Sequence, residues 1–240
     1  MKQWLQHKLG INRRSKGRAG RGSKDAHPAT PMSHKSRLSL RIPIFLTYLV
    51  LINSVAYAQV TKAWNQCVGV EGPIPDVVIE GCTELIQTPQ ESSAVLALAF
   101  NNRGVARKVK GEYDEALQDY DQAIRLDPNS ASHYNNRGVI YRIKHDYDRA
   151  IADYGEAIWL KSDYPAAYYN RALAYSDKGD YDRALEDFRV VLSFDPKNAL
   201  ALYARGKTQL KKGDAEAGNA DIAAAEAINP HVAEQYKESE

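Results

Sequence analysis

The segments ASHYNNRGVIYRI (131–143) and YDRAIADYGEAIWL (147–160) decide the fold. In the first, Tyr134, Gly138 and Tyr141 fall four and three residues apart, one stripe of an α-helix. In the second, Tyr147, Ala150, Tyr154 and Ala157 form another such stripe. The pattern returns at a period of 34 residues. The next copy has Tyr168, Ala172 and Tyr175, then Tyr181, Ala184, Phe188 and Val191. The preceding copy has Phe100 and Gly104, then Tyr113, Ala116, Tyr120 and Ala123. A looser fourth copy has Leu202 and Gly206, then Gly218, Ile222 and Ala225. A fixed long period implies stacked copies of one supersecondary unit. Each unit reads as two amphipathic helices of about 14 residues, roughly 21 Å long.

The small residues predict where the paired helices cross. Gly104, Gly138, Ala172 and Gly206 mark the first helix of each unit, and Ala116, Ala150, Ala184 and Gly218 the second. A large side chain at a close crossing would hold the backbones apart. Lys110-Gly111, Lys178-Gly179 and Lys212-Gly213 end the first helices, since Gly suits a helix C-cap. Asp127-Pro128, Asp195-Pro196 and Asn229-Pro230 end the second ones. The copy at 131–164 has His145 in place of the Gly and Ser162 in place of the Pro.

This pattern resembles the tetratricopeptide repeat over residues 97–230, on the aromatic, small, Ala and Pro positions just quoted. Arg107 and Gln209 depart from it by replacing an aromatic. The resemblance implies an all-α fold, an α-solenoid of antiparallel helix hairpins. We expect about four 34-residue units, a divergent helix pair over 59–96 and a short polar capping helix over 231–240. It also implies a concave groove that binds an extended peptide or a partner helix. An Asn at the position of Asn102, Asn136 and Asn170 then lies on the concave side and holds peptide backbone, because an amide both donates and accepts. Simple local capping is the other reading. The neighbouring groove positions are Asn101, Val105 and Lys108; Asn135, Val139 and Arg142; Tyr169, Leu173 and Ser176; and Tyr203 and Lys207. The chaperone-binding relatives use a clamp of Lys and Asn, which Asn101 and Val105, Asn135 and Val139, and Tyr169 and Leu173 do not reproduce.

Two charged ladders share the period. Arg103, Arg137, Arg171 and Arg205 run beside Asp119, Asp153, Asp187 and Asp221. They read as ion pairs between helices or as an anion-binding stripe. If the pairs are exposed, each adds only about 0–1 kcal/mol.

The first 58 residues lie outside the repeat. Lys35, Arg37 and Arg41 precede the apolar run 42–52, and Ala56-Tyr57-Ala58 follows. This order reads as a secretory signal cleaved after Ala58, with Met32 the natural start. A retained anchor is the alternative. Residues 1–41 hold 11 of the 32 basic residues and one of the 30 acids, so the rest of the chain carries a net −8. Nucleic-acid binding by that acidic part is disfavoured. The two cysteines, Cys67 and Cys82, fall on the two helices of the divergent pair. In an oxidising compartment they should pair, and otherwise they are two buried thiols. Trp64, Cys67 and Gly81-Cys82-Thr83 are similar to a group of exported repeat proteins of Gram-negative bacteria, which implies a periplasmic location. A secreted protein or an inner-membrane-anchored one are the further options.

Nothing points to chemistry. The chain has no Gly-rich phosphate loop before a helix, no G-x-S-x-G, no H-E-x-x-H and no paired Cys/His spacing. No cofactor, metal or catalytic residue is expected. The expected function is a non-catalytic scaffold of the bacterial envelope. The alternative is a membrane-tethered assembly factor using residues 42–57.

Overall fold

The computed structural model describes residues 59–239 except 71, 73 and 90. The expectations for the basic arm, Met32, the apolar run and the cleavage after Ala58 lie outside the described residues. Among the described residues there are eleven helices and no strand. They are α1 (59–67), α2 (Pro75–Gln87), α3 (Ser93–Lys110), α4 (Tyr113–Leu126), α5 (Ala131–Ile143), α6 (Tyr147–Leu160), α7 (Pro165–Lys178), α8 (Tyr181–Phe194), α9 (Ala199–Lys212), α10 (Ala215–Ile228) and α11 (Val232–Ser239).

The boundaries follow from capping chemistry. Asp146, Asp180 and Asp214 each accept a hydrogen bond from the backbone amide three residues on, and so open α6, α8 and α10. Gly111, Gly179 and Gly213 close α3, α7 and α9 with φ of 79°, 88° and 97°. Where the second unit lacks the Gly, His145 takes the same left-handed backbone at φ 59°. It stacks edge-on against Tyr147 and bonds its hydroxyl at 2.8 Å. That local contact offsets the usual strain of a Cβ in this region.

Successive helices pair as hairpins, α3 with α4 through α9 with α10. The first helices also touch one another, α3 to α5, α5 to α7 and α7 to α9, whereas second helices of successive units do not meet. The array of residues 59–239 therefore bends with its first helices on the inner side. The small residues act as expected. A Cβ on Gly104 would lie 2.8 Å from the Tyr120 ring, and one on Gly138 2.8 Å from the Tyr154 ring. Tyr120, Tyr154 and Phe188 are fully buried against these points. In the fourth unit no aromatic fills that place. Gly206 and Gly218 face each other instead, so that a Cβ on either would approach the other's carbonyl oxygen within 2.7–2.9 Å.

At the N-terminal end, Cys67 and Cys82 form a disulfide with Cα atoms 4.5 Å apart. A Cβ on Gly81 would collide with Gln66 at 2.5 Å, so α1 and α2 meet backbone to backbone beside the bond. Replacing both cysteines by serine should cost about 3 kcal/mol, the chain-entropy value for a loop of about 15 residues. Hydrogen exchange would check it: faster exchange across 59–87 and unchanged exchange across 165–228.

The C-terminal helix is less polar than expected. Val232 and Tyr236 are buried, and the Tyr236 ring centroid lies 5.2 Å from that of Tyr203. Tyr236 stands 34 residues after Leu202, but α11 docks mainly on α9, whereas the first helix of a further unit would pack mainly on the second helix before it, so α11 caps the array.

Candidate partner-binding surface

The inner surface is built from α3, α5, α7 and α9. Its residues at one register position run Val105 (exposed), Val139 (half-buried), Leu173 (buried) and Lys207 (half-buried). Tyr169 and Asn170 line a cavity of about 260 Å³ with Pro165 and Leu200. Tyr203 is half-buried under α11. Arg142 is drawn to Asp177 of the next first helix at 3.0 Å.

The asparagines are already engaged. Asn102 Nδ2 donates to the Cys67 carbonyl at 3.2 Å. Asn136 Nδ2 donates to Asn101 Oδ1, and Asn170 Nδ2 to Asn135 Oδ1, each at 3.0 Å. Asn101 and Asn135 are 8% and 7% exposed. The amide ladder thus ties α3, α5 and α7 each to the first helix before it, 35 residues back, and stops at Ala204 of α9. Asn101, Asn135 and Leu173 are covered by neighbouring helices rather than open to the groove. Of the expected set, Val105 is exposed, and Val139, Tyr169 and Lys207 are half-buried, as are Asn102, Asn136, Arg142, Asn170 and Tyr203.

The charged ladders are internal struts. Arg137 grips Asp153 with two bonds of 2.7 and 2.8 Å and reaches Asp121 of the preceding unit at 2.7 Å. Arg103–Asp119, Arg171–Asp187 and Arg205–Asp221 repeat the intra-unit grip. The reading as ion pairs between helices holds, and the pairs are not exposed ones, because Asp119, Asp153 and Asp187 are buried. The guanidiniums also sit by aromatic faces, Arg137 at 5.8 Å from both Tyr134 and Tyr141, and Arg171 at 5.6 and 6.0 Å from Tyr168 and Tyr175. Where the second aromatic is missing, its replacement serves the aspartate. Arg107 bonds Asp119 at 2.8 Å. Gln209, with its amide nitrogen turned inward, donates to Asp221 at 2.9 Å. Burial pushes the Asp153 carboxyl up, a shift that the two Arg137 bonds oppose without cancelling. With its aspartates taken and its arginines spent, the ladder is not an anion-binding stripe.

A second charged ladder escaped the sequence reading. Lys110 bonds Asp76 at 2.7 Å and Lys144 bonds Asp114 at 2.6 Å, and Lys178–Asp148 and Lys212–Asp182 continue the series on the exposed side. Each joins the end of a first helix to the start of the previous second helix. The recurrence of Lys110, Lys144, Lys178 and Lys212 at 34 was the available signal.

His133 is buried on the inner side, its Nδ1 at 3.2 Å from Asn101 Oδ1. Burial lowers its pKa, with Asp127 partly opposing. The unfolded chain then binds the proton more readily than the folded one near pH 6.5. Stability from this residue is present above pH 6.5 and is lost as pH falls below it. We expect the drop in Tm between pH 7.5 and pH 5 to be smaller in His133→Gln than in the native chain. An equal drop in both would exclude His133 as its source.

Among the described residues, no three His, Cys, Asp or Glu side chains are placed to hold a metal ion, and no helix is long and apolar enough to cross a membrane.

Residues 104–142 and 138–179 match the family profile described as TPR repeat, and residues 165–198 the one described as Tetratricopeptide repeat. Residues 104–198 are tetratricopeptide repeats, and the helices around them form a tetratricopeptide-repeat solenoid. Among solved structures, the chain is similar to YrrB, described as a TPR protein with an unusual peptide-binding site, at 21% identity and a TM-score of 0.60, over 82% of this chain and 98% of that one. It is also similar to MamA of Desulfovibrio magneticus RS-1 (residues 41 to the end), at 16% identity and a TM-score of 0.63, over 72% of this chain and 96% of that one. A further MamA crystal structure aligns at 20% identity and a TM-score of 0.61, over 73% and 94%. At these identities the likeness is one of fold. No curated protein matches the chain.

Proposed function

We propose that this protein is a non-catalytic interaction scaffold of the bacterial cell envelope. Its inner surface takes an extended peptide or a partner helix. The observation that carries the reading is the division of labour in the fold: the polar ladders are spent on holding helices together, while Val105, Val139, Tyr169 and Lys207 stay accessible on the inner side. The description of YrrB as peptide-binding supports the same use of such a surface. The envelope location draws support from the order of basic residues, apolar run and Ala56-Tyr57-Ala58, and from a disulfide in the first described helices. The scaffold requires no cofactor and carries out no bond-making step.

A photo-crosslinking residue placed at Val139 or Lys207 of the full chain, expressed in a Gram-negative cell, should capture one and the same protein. The same residue at Glu186, on the outer side, should not. Equal capture from both sides would sink the groove reading. N-terminal sequencing of the exported protein should begin at Gln59; an intact residue 42–57 segment in the membrane fraction would select the tethered alternative.

A further inference from the structure

The amide ladder sets the register at the N-terminal end. Asn136 and Asn170 bond Asn101 and Asn135, whereas Asn102 bonds Cys67, always 35 residues back. Cys67 therefore stands where Asn101 and Asn135 stand in their helices. Yet α3 runs on from Asn101 to Lys110, and α5 from Asn135 to Ile143, while α1 stops at residue 67. About two turns of helix, some 13 Å, are missing from the first position of the array. The gap is an apolar pocket of about 200 Å³ between Val68, Pro75 and Val78 on one wall and Val105, Ala106 and Val109 on the other. Val109 is 66% exposed, and Val70 and Ile74 are bare at the same end. A pocket of this size accepts one or two aliphatic side chains, not a helix.

The charge at Lys108, one residue before the pocket-lining Val109, is unbalanced. Arg142 on α5 finds Asp177, 35 residues on, at 3.0 Å. The residue 35 on from Lys108 is Ile143, and Lys108 makes no ion pair among the described residues. Along the first helices, Lys108, Arg142, Lys207 and Lys211 face a single acid, Asp177, although the chain beyond residue 41 carries a net −8. The inner surface is thus a basic strip on an acidic molecule, which selects an acidic partner.

Resting on the groove reading above, the geometry points to a defined partner chemistry: an acidic extended segment that inserts a bulky aliphatic side chain between α1, α2 and α3 and sets an adjacent carboxylate side chain on Lys108. The aliphatic anchor gains by leaving water. The carboxylate supplies the counter-charge that Ile143 cannot.

Fluorescence anisotropy with the full chain tests this, using acetylated, amidated decapeptides so that no terminal carboxylate contributes. The parent carries one leucine followed by glutamates; the analogues replace that leucine by serine, or the glutamates by lysines. We expect the parent to bind at least tenfold more tightly than either analogue. Val109→Asp should weaken the parent tenfold or more. Lys108→Glu should do the same while improving the lysine analogue, a reversal that a merely structural role for Lys108 does not produce; melting curves confirm that both variants fold. Binding of the lysine analogue within twofold of the parent, or an unaltered parent affinity in Lys108→Glu, overturns the assignment. If all three peptides bind equally and Val139→Ala weakens them all, the partner chemistry falls and the groove stands. If none binds, as when residues 42–52 or a second copy fill the pocket, the assignment also falls.

Discussion

Asp119→Ala is expected to destabilise the solenoid by about 3–5 kcal/mol, the cost of leaving buried charge without its partner. The carboxylate is 3% exposed and holds two guanidiniums, Arg103 at 2.7 Å and Arg107 at 2.8 Å. Removing it strands both cations, one of them also fixed to Thr83 of the disulfide-linked pair at 3.0 Å. The damage should therefore reach the junction between α2 and α3. Asp182→Ala is the control. That carboxylate is 80% exposed and serves Lys212 alone, so the expected change is about 0–1 kcal/mol. Urea denaturation of the two variants beside the native chain reads the difference. Matching midpoints for both variants would mean that the internal ladder is no more than a surface feature.

Gly138→Leu should be similarly disruptive. The first side-chain carbon already lies 2.8 Å from the Tyr154 ring, which is fully buried and has nowhere to retreat. Overpacking of a tight site costs about 1–3 kcal/mol, and a branched side chain at a helix crossing belongs at the upper end. Each kcal/mol moves Tm by about 2–4 °C in a domain of this size. Gly155→Ala, next to Tyr154 in the partner helix, is the opposite case. A Cβ there meets only Arg171 Nη1 at 3.9 Å, so the gain in helix propensity, about 1 kcal/mol, should raise stability. Two glycines in one hairpin should thus respond with opposite signs. A stabilised Gly138→Leu would count against the phase assigned to the repeat.

Much of this architecture was legible in the residues because the same constraint is written several times. Gly104, Gly138 and Gly206 each mark a crossing, and each copy checks the others. The glycines at 111, 179 and 213 bound the first helices for local reasons that need no tertiary knowledge. The asparagine ladder has its partners 35 residues away. Asn136 and Asn101 look equally free in the sequence, and only their approach across two first helices turns them into donor and acceptor. The charged ladder was legible as pairs but not as buried pairs, since the burial of Asp119, Asp153 and Asp187 depends on how closely the helices pack. Val232 and Tyr236 were the apolar contacts of the capping helix that the surrounding polar residues obscured.

The residues by themselves determined the repeat, its phase, the small-residue crossings, and the pair of cysteines free to join. All of these are short-range or periodic requirements, in which a side chain's size or backbone freedom is enough to state the need. The tertiary structure alone decided where α1 ends relative to α3, which amides are consumed between helices, and which lysine is left facing an apolar neighbour. Those outcomes depend on the offset between successive first helices, a distance that no single helix encodes and that emerges only when the hairpins stack.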